Sequence, residues 1–214
     1  MPFSSRNSAA MPVKPRFPSA LLVTLGALLL AAFLSWQGIA SYNQLQASDE
    51  WVTASWSQVV NQYRRRADLI PNAIALARAY AKHESAIFTE LTNARQRANA
   101  ATAPDSHDAQ ALKQFSLAQA GLTAQLGRLL TLVEKYPELK ADKVFQDLMV
   151  QLEGTENRIA YARQRYIDNV TRYNTGIRQF PGRLIAQACG LQVRPNFADT
   201  DEVGIATAPR LETK

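Results

Sequence analysis

The segment FQDLMVQLEGTENRIAYARQRYIDNVTRYNTGIRQF, residues 145–180, decides the fold. Apolar and small side chains recur at Phe145, Leu148, Leu152, Thr155, Ile159, Ala162, Tyr166, Val170, Tyr173, Ile177 and Phe180, in steps of three and four. An α-helix turns once in about 3.6 residues, so these positions form one stripe along one face. The spacing predicts a single helix roughly 55 Å long, at about 1.5 Å per residue. Its stripe needs neighbouring helices to cover it.

Working outward, the same steps appear three more times. One seam runs Leu112, Phe115, Leu122, Leu126, Leu129, Val133 and Tyr136; another runs Val52, Trp56, Val59, Tyr63, Arg66 and Ile70. A further one continues through Ile74, Ala77, Ala81, Phe88 and Leu91. Between Ser48 and Gly190 there is no alternating β-branched run, so strands have no support. Ala103-Pro104-Asp105-Ser106 marks a break and offers Asp105 or Ser106 as the next N-cap, with Asp108 complementing the helix dipole. Tyr136-Pro137 marks another break, because proline removes a donor and restricts the residue before it. Pro71 has two readings: the first residue of a new helix capped near Asp68, or a bend within one helix whose seam keeps phase from Ile70 to Ile74. Past Phe180-Pro181-Gly182, a short apolar piece from Leu184 ends at Gly190, a C-cap candidate.

Towards the N-terminus stands ALLVTLGALLLAAFLSWQGIA, uncharged from Ala20 to Ala40. About 20 residues at 1.5 Å each cross the roughly 30 Å hydrocarbon core, and Trp36 and Tyr42 suit an interfacial aromatic belt. A cleaved signal peptide fits less well, since Gly38-Ile39-Ala40 is a poor cleavage site and the run is long. Arg6, Lys14 and Arg16 precede the run and no Lys or Arg follows until Arg64, which predicts a cytoplasmic N-terminus and an extracytoplasmic, periplasmic domain. The expected architecture is all-α: a disordered tail (1–19), a single transmembrane helix (20–42), an elongated antiparallel bundle (43–190) and a flexible tail (191–214). The bundle has four helices, or three if the first two are one kinked helix.

Composition narrows the function. Apolar residues at 47% and charged residues at 20% fit neither a disordered chain nor a polytopic membrane protein. One cysteine (Cys189) and two histidines (His83, His107) leave no disulfide framework and no Cys/His zinc set. The net charge is +6, but three of those charges precede the apolar run, so a basic nucleic-acid face is not supported. His83-Glu84 lacks the second histidine of a zinc helix, because position 87 is Ile87. Cys189 reads as a small buried or membrane-proximal hydrophobe. No catalytic, metal-binding or cofactor-binding residue is therefore assigned.

Polar residues on the seams form the remaining candidates. Arg66 and Glu84 occupy core-facing slots, and Glu153, Glu156 and Arg158 flank Thr155 on the long helix. Two readings stay open: Arg64, Arg65 and Arg66 reach solvent with their stems on apolar surface, or Arg66 pairs inside the bundle with an acid near Glu153 or Glu156 and fixes helix register. Gly26, Ala27, Ala31 and Ala32 form a small-residue stripe on which copies of the anchor could pack.

Several strings are shared in order with one family: RRADLIPN (65–72), YAKHE (80–84), EKYPELKA (134–141) and GTENRIAYAR (154–163), with Ala94-Arg95, Tyr173-Asn174 and Phe180-Pro181. Over roughly residues 20–197 the chain resembles the LemA family of bacterial membrane proteins. One departure is Tyr166-Ile167, where the family usually carries Tyr-Asn, so a hydrogen-bonding Asn is not carried over there. The resemblance implies an N-terminal anchor, a helical bundle and no established catalytic activity; some members are associated with membrane shaping or envelope assemblies. The expected function is a non-enzymatic scaffold of the bacterial inner membrane. Its partners would be the lipid bilayer, other copies of itself and unidentified envelope proteins, without nucleic acid. The alternative is an accessory subunit regulating an envelope protease or signalling enzyme.

Overall fold

The computed structural model describes residues 19–101 and 107–197. Arg6, Lys14, Arg16, Asp105, Ser106 and the chain from residue 198 lie outside them. Among the described residues six helices follow in order: α1 (Ser19–Tyr80), α2 (Ser85–Ala100), α3 (Ala109–Val133), α4 (Pro137–Ala141), α5 (Lys143–Arg178) and α6 (Gly182–Cys189). The chain divides into two units, Met1–Ala40 and Ser41–Lys214. In the first, the apolar side chains of α1 are open to their surroundings, Leu29 at 64% and Trp36 at 74%. A helix of that length and composition is a candidate membrane span.

The second unit is an antiparallel bundle whose register can be read from its contacts. Against α1, helix α5 runs in reverse: Leu45 lies by Gly176, Trp51 by Asn169, Arg66 by Glu156 and Tyr80 by Asp142. Helix α2 also reverses on α1, with Arg95 beside Ala67, and α3 reverses on α2, with Arg128 beside Glu90. Two hydrophobic clusters result. One joins Ile70, Ile74 and Ala77 of α1 to Phe88 and Leu91 of α2, Leu122 and Leu129 of α3, and Phe145 and Leu148 of α5. The other joins Val52, Trp56 and Tyr63 to Phe115, Tyr166, Tyr173 and Phe197.

Pro71 lies inside α1, which runs unbroken to Tyr80. A proline in mid-helix has no N–H, so the carbonyl four residues earlier, that of Ala67, loses its helical donor. Ala67 is 3% exposed, and the Nε of Arg95 donates to its oxygen at 2.7 Å. A helix-breaking residue is thus accommodated by a side chain from the neighbouring helix. Arg95→Ala should destabilise the fold by about 1 to 3 kcal/mol, because a buried carbonyl is orphaned. In a Pro71→Ala background the same change should cost clearly less, since the restored N–H takes over. A thermal-melt cycle of the four proteins checks this; equal costs in both backgrounds would show that Arg95 does not serve the proline gap.

The chain reverses at residues 81–84, and not at Pro71. The seam from Ile74 to Leu91, expected as one helix, therefore belongs to two. Its phase survives because both arms of the hairpin bury their stripes in the same cluster. Glu84 consequently sits at the N-terminal boundary of α2 and is partly exposed, instead of facing the core. Asp108 is itself the N-cap of α3, accepting from the backbone N–H of Gln110 (2.9 Å) and Ala111 (3.0 Å). At the next break Pro137 opens α4, and Asp142 caps α5 by accepting from the Phe145 N–H at 3.0 Å. The Tyr80 hydroxyl donates to Asp142 at 2.7 Å, which raises the phenol pKa and helps lower that of the carboxyl.

Gly190 ends α6 at φ 68°, the left-handed region open to glycine. Gly182, at the other end of α6, is a close-approach glycine: a Cβ there would overlap the Gly176 carbonyl oxygen. Residues 191–197, expected as the start of a flexible tail, are instead packed. Phe197 is fully buried and Arg194 is 3% exposed. The reason is steric as much as electrostatic: the cluster around Trp56 contains no residue of α2, and Phe197 fills part of it.

Candidate functional site

A belt of polar groups separates the two clusters. Its centre is Arg66, 1% exposed on α1. The Nη1 group donates to Thr123 Oγ1 (2.8 Å) and Glu156 Oε1 (2.9 Å), and Nη2 donates to Gln119 Oε1 (2.7 Å) and the Gln119 carbonyl (3.3 Å). Gln119 Nε2 in turn donates to the Ala98 carbonyl at 3.4 Å. One guanidinium thereby links α1, α3 and α5, and its partner Gln119 adds α2. The charge also lies over the Tyr63 ring, 5.1 Å from its centroid. Arg66 Nε is buried and has no hydrogen-bond partner.

Of the remaining sequence candidates, Glu156 alone is gathered there. Glu156 joins the belt with 43% of its side chain exposed. Glu153 and Arg158 are exposed, one on each side of α5's buried stripe. Glu84, beyond the C-terminal end of α1, accepts a long hydrogen bond of 3.4 Å from Tyr136 and does not reach Arg66. Cys189 is exposed in the last turn of α6, where burial is one expectation from the sequence. Gln119 and Thr123 escape a reading of the sequence. The signal for Gln119 is a gap: the seam steps from Phe115 to Leu122 and passes over position 119, where the glutamine sits 6% exposed.

A second polar anchor ties down residues 191–197. Asp49 accepts from Arg194 Nη2 at 2.7 and 2.8 Å and from Nε at 3.0 Å, a two-oxygen fork. Asn174 donates to the Arg194 carbonyl and accepts from its N–H, both at 2.9 Å. The Tyr166 hydroxyl donates to the Pro195 carbonyl at 3.1 Å. Burial pushes the Tyr166 pKa up to about 12, against the opposing charge of Arg194. Burial likewise raises Tyr173, aided by Asp49.

Chemically, these sites hold charge in place. Arginine stays protonated at any accessible pH and is a poor proton-transfer group. No group of three metal-ligating side chains occurs among the described residues.

The magnetosome protein MamQ of Magnetospirillum gryphiswaldense is 26% identical over 195 residues, covering 83% of this chain and 71% of that protein. Magnetosome proteins MamQ 1 and MamQ 2 of Paramagnetospirillum magneticum are each 26% identical over 202 residues, covering 86% of this chain and 74% of theirs. The family model of the LemA family matches residues 55–212, from the first turns of the bundle onward. On that match the chain belongs to the LemA family.

Proposed function

We propose that the chain is a non-enzymatic, single-pass scaffold of the bacterial inner membrane. Its N-terminus is cytoplasmic, and the bundle from Ser41 onward stands on the extracytoplasmic side, where it binds protein partners or other copies of the chain. The carrying observation is the contrast within α1: its apolar side chains are exposed through residues 20–40 and buried at helical spacing from Leu45 onward. Exposed apolar helix of that length is stable in lipid and unstable in water. The similarity to proteins named for the magnetosome supports a membrane setting. In this reading the Arg66 belt is structural: it fixes the mutual register of the bundle helices so that the outer surface is presented in one form.

Topology is tested with Val150→Cys in a Cys189→Ser background, since Val150 is 68% exposed. The thiol should react with an impermeant maleimide in intact spheroplasts. Reaction only after lysis would reverse the orientation. What purifies with the full chain from mild detergent then separates self-assembly from the role of accessory subunit to an enzyme.

A further inference from the structure

We infer that the turn between α5 and α6, together with the outer face of α6, lies on the surface of an anionic lipid bilayer as a second membrane contact. The inference rests on the reading of residues 20–40 as a membrane anchor.

Its first ground is an apolar patch that no described residue covers. Phe180 is 82% exposed, the highest value among the exposed large hydrophobics, and Leu184, four residues on, is 59% exposed. Helix α6 buries Gly182 and Ala186 against the bundle. At 100° per residue, Leu184 and Ala188 fall on the opposite side. The helix thus has two apolar faces, and the bundle uses one.

The second ground is charge. Arg178 and Arg183 line one cleft of about 320 Å³ beside Val193, with no carboxylate in its lining. Neither arginine is ion-paired with a described residue. From residue 158 to 197 the chain has seven arginines and a single acid, Asp168. Exposed apolar side chains flanked by guanidinium groups are the composition of an interfacial segment: the rings and branched chains enter the headgroup boundary and the cations meet lipid phosphates.

The third ground is position, which chain connectivity fixes. Gly176 and Gly182 both approach Leu45: a Cβ added at each would lie 3.0 and 3.6 Å, respectively, from its methyl groups. Leu45 is five residues beyond Ala40, and five residues span at most about 18 Å even when fully extended. The α5–α6 turn therefore packs on a residue only five positions along the chain from Ala40. A soluble partner protein is not tethered to this patch; the bilayer is.

The test uses the full chain in nanodiscs, with a fluorophore on Ala188→Cys in a Cys189→Ser background and lipids carrying a bromine quencher. A companion protein carries the probe at Ala31→Cys, inside the anchor. In discs with 30% phosphatidylglycerol both probes should be quenched. Arg178→Gln with Arg183→Gln, or Phe180→Ser with Leu184→Ser, should reduce quenching at position 188 about tenfold in apparent affinity while leaving position 31 unchanged. All four residues are exposed, so the bundle should keep its helical spectrum in both variants. Quenching at 31 but not at 188 overturns this inference alone. Quenching at neither overturns the anchor reading on which it rests. Loss of water access at 188 without lipid quenching gives the face to a second copy of the chain, and equal quenching in pure phosphatidylcholine removes the role of the arginines; both outcomes overturn the inference as stated.

Discussion

Glu156→Ala should destabilise the bundle more than Arg66→Met, although both remove the same ion pair. The asymmetry follows from exposure: 1% for the arginine side chain and 43% for the glutamate. Without Glu156, a permanently charged guanidinium remains buried among neutral acceptors, and an uncompensated buried charge costs about 3 to 5 kcal/mol. Without Arg66, the glutamate turns to water, Gln119 and Thr123 lose one partner each, and Met fills most of the volume, for about 1 to 2 kcal/mol. The double variant should resemble Arg66→Met alone, because once the guanidinium is gone the carboxylate has nothing to neutralise. For a unit of this size, about 3 kcal/mol corresponds to a fall in Tm of roughly 6 to 12 °C, readable by circular dichroism on the full chain in detergent. A larger loss for Arg66→Met than for Glu156→Ala would mean that the belt is held by its packing and not by its charge balance.

A second large effect is expected from Phe197→Ala, at about 3 to 5 kcal/mol. The ring is fully buried, 5.7 Å from Trp56 and 5.5 Å from Tyr166 between centroids, with the Arg163 guanidinium 4.6 Å from its own centroid. Its removal opens a cavity beside Trp56 and Tyr166 and weakens the hold on residues 191–197. Asp49→Asn should act on the same segment from its other end, leaving the buried Arg194 fork without its counter-charge. Hydrogen exchange at residues 191–197 should rise in both variants. A wild-type Tm for Phe197→Ala would show that this segment is dispensable, as its composition suggests.

That composition is why the segment reads as a tail. Pro195, Asn196 and the Thr, Asp and Ala that follow give no periodic signal, and the two residues that matter, Arg194 and Phe197, bind partners twenty or more positions away. Helices are legible because their buried positions repeat: ten residues of α5 from Phe145 to Ile177 are buried, and all ten lie on the seam read from the sequence. The reversal at residues 81–84 is hidden for the same reason. It contains neither Gly nor Pro, and two helices burying their stripes in one cluster continue a single period. In the belt, Arg66 is visible as a charge on an apolar stripe. Gln119 is visible only as a missing step, and Thr123, beside the seam, is indistinguishable by pattern from a surface residue. Seam periodicity identifies which positions face inward; it does not say which of the inward polar groups meet.

The belt also has a mechanical consequence. Packed helices commonly accommodate change by sliding past one another, since ridges can exchange grooves at small cost. Here a slide of α5 by one turn, about 5.4 Å, would bring Leu152 or Ala160 to the level of Arg66 in place of Glu156. Neither side chain can accept from a guanidinium, so the displaced state begins with a buried guanidinium that has lost Glu156. The four helices are keyed at that level like a shaft. Sliding of α5 past its neighbours is thereby opposed at this level.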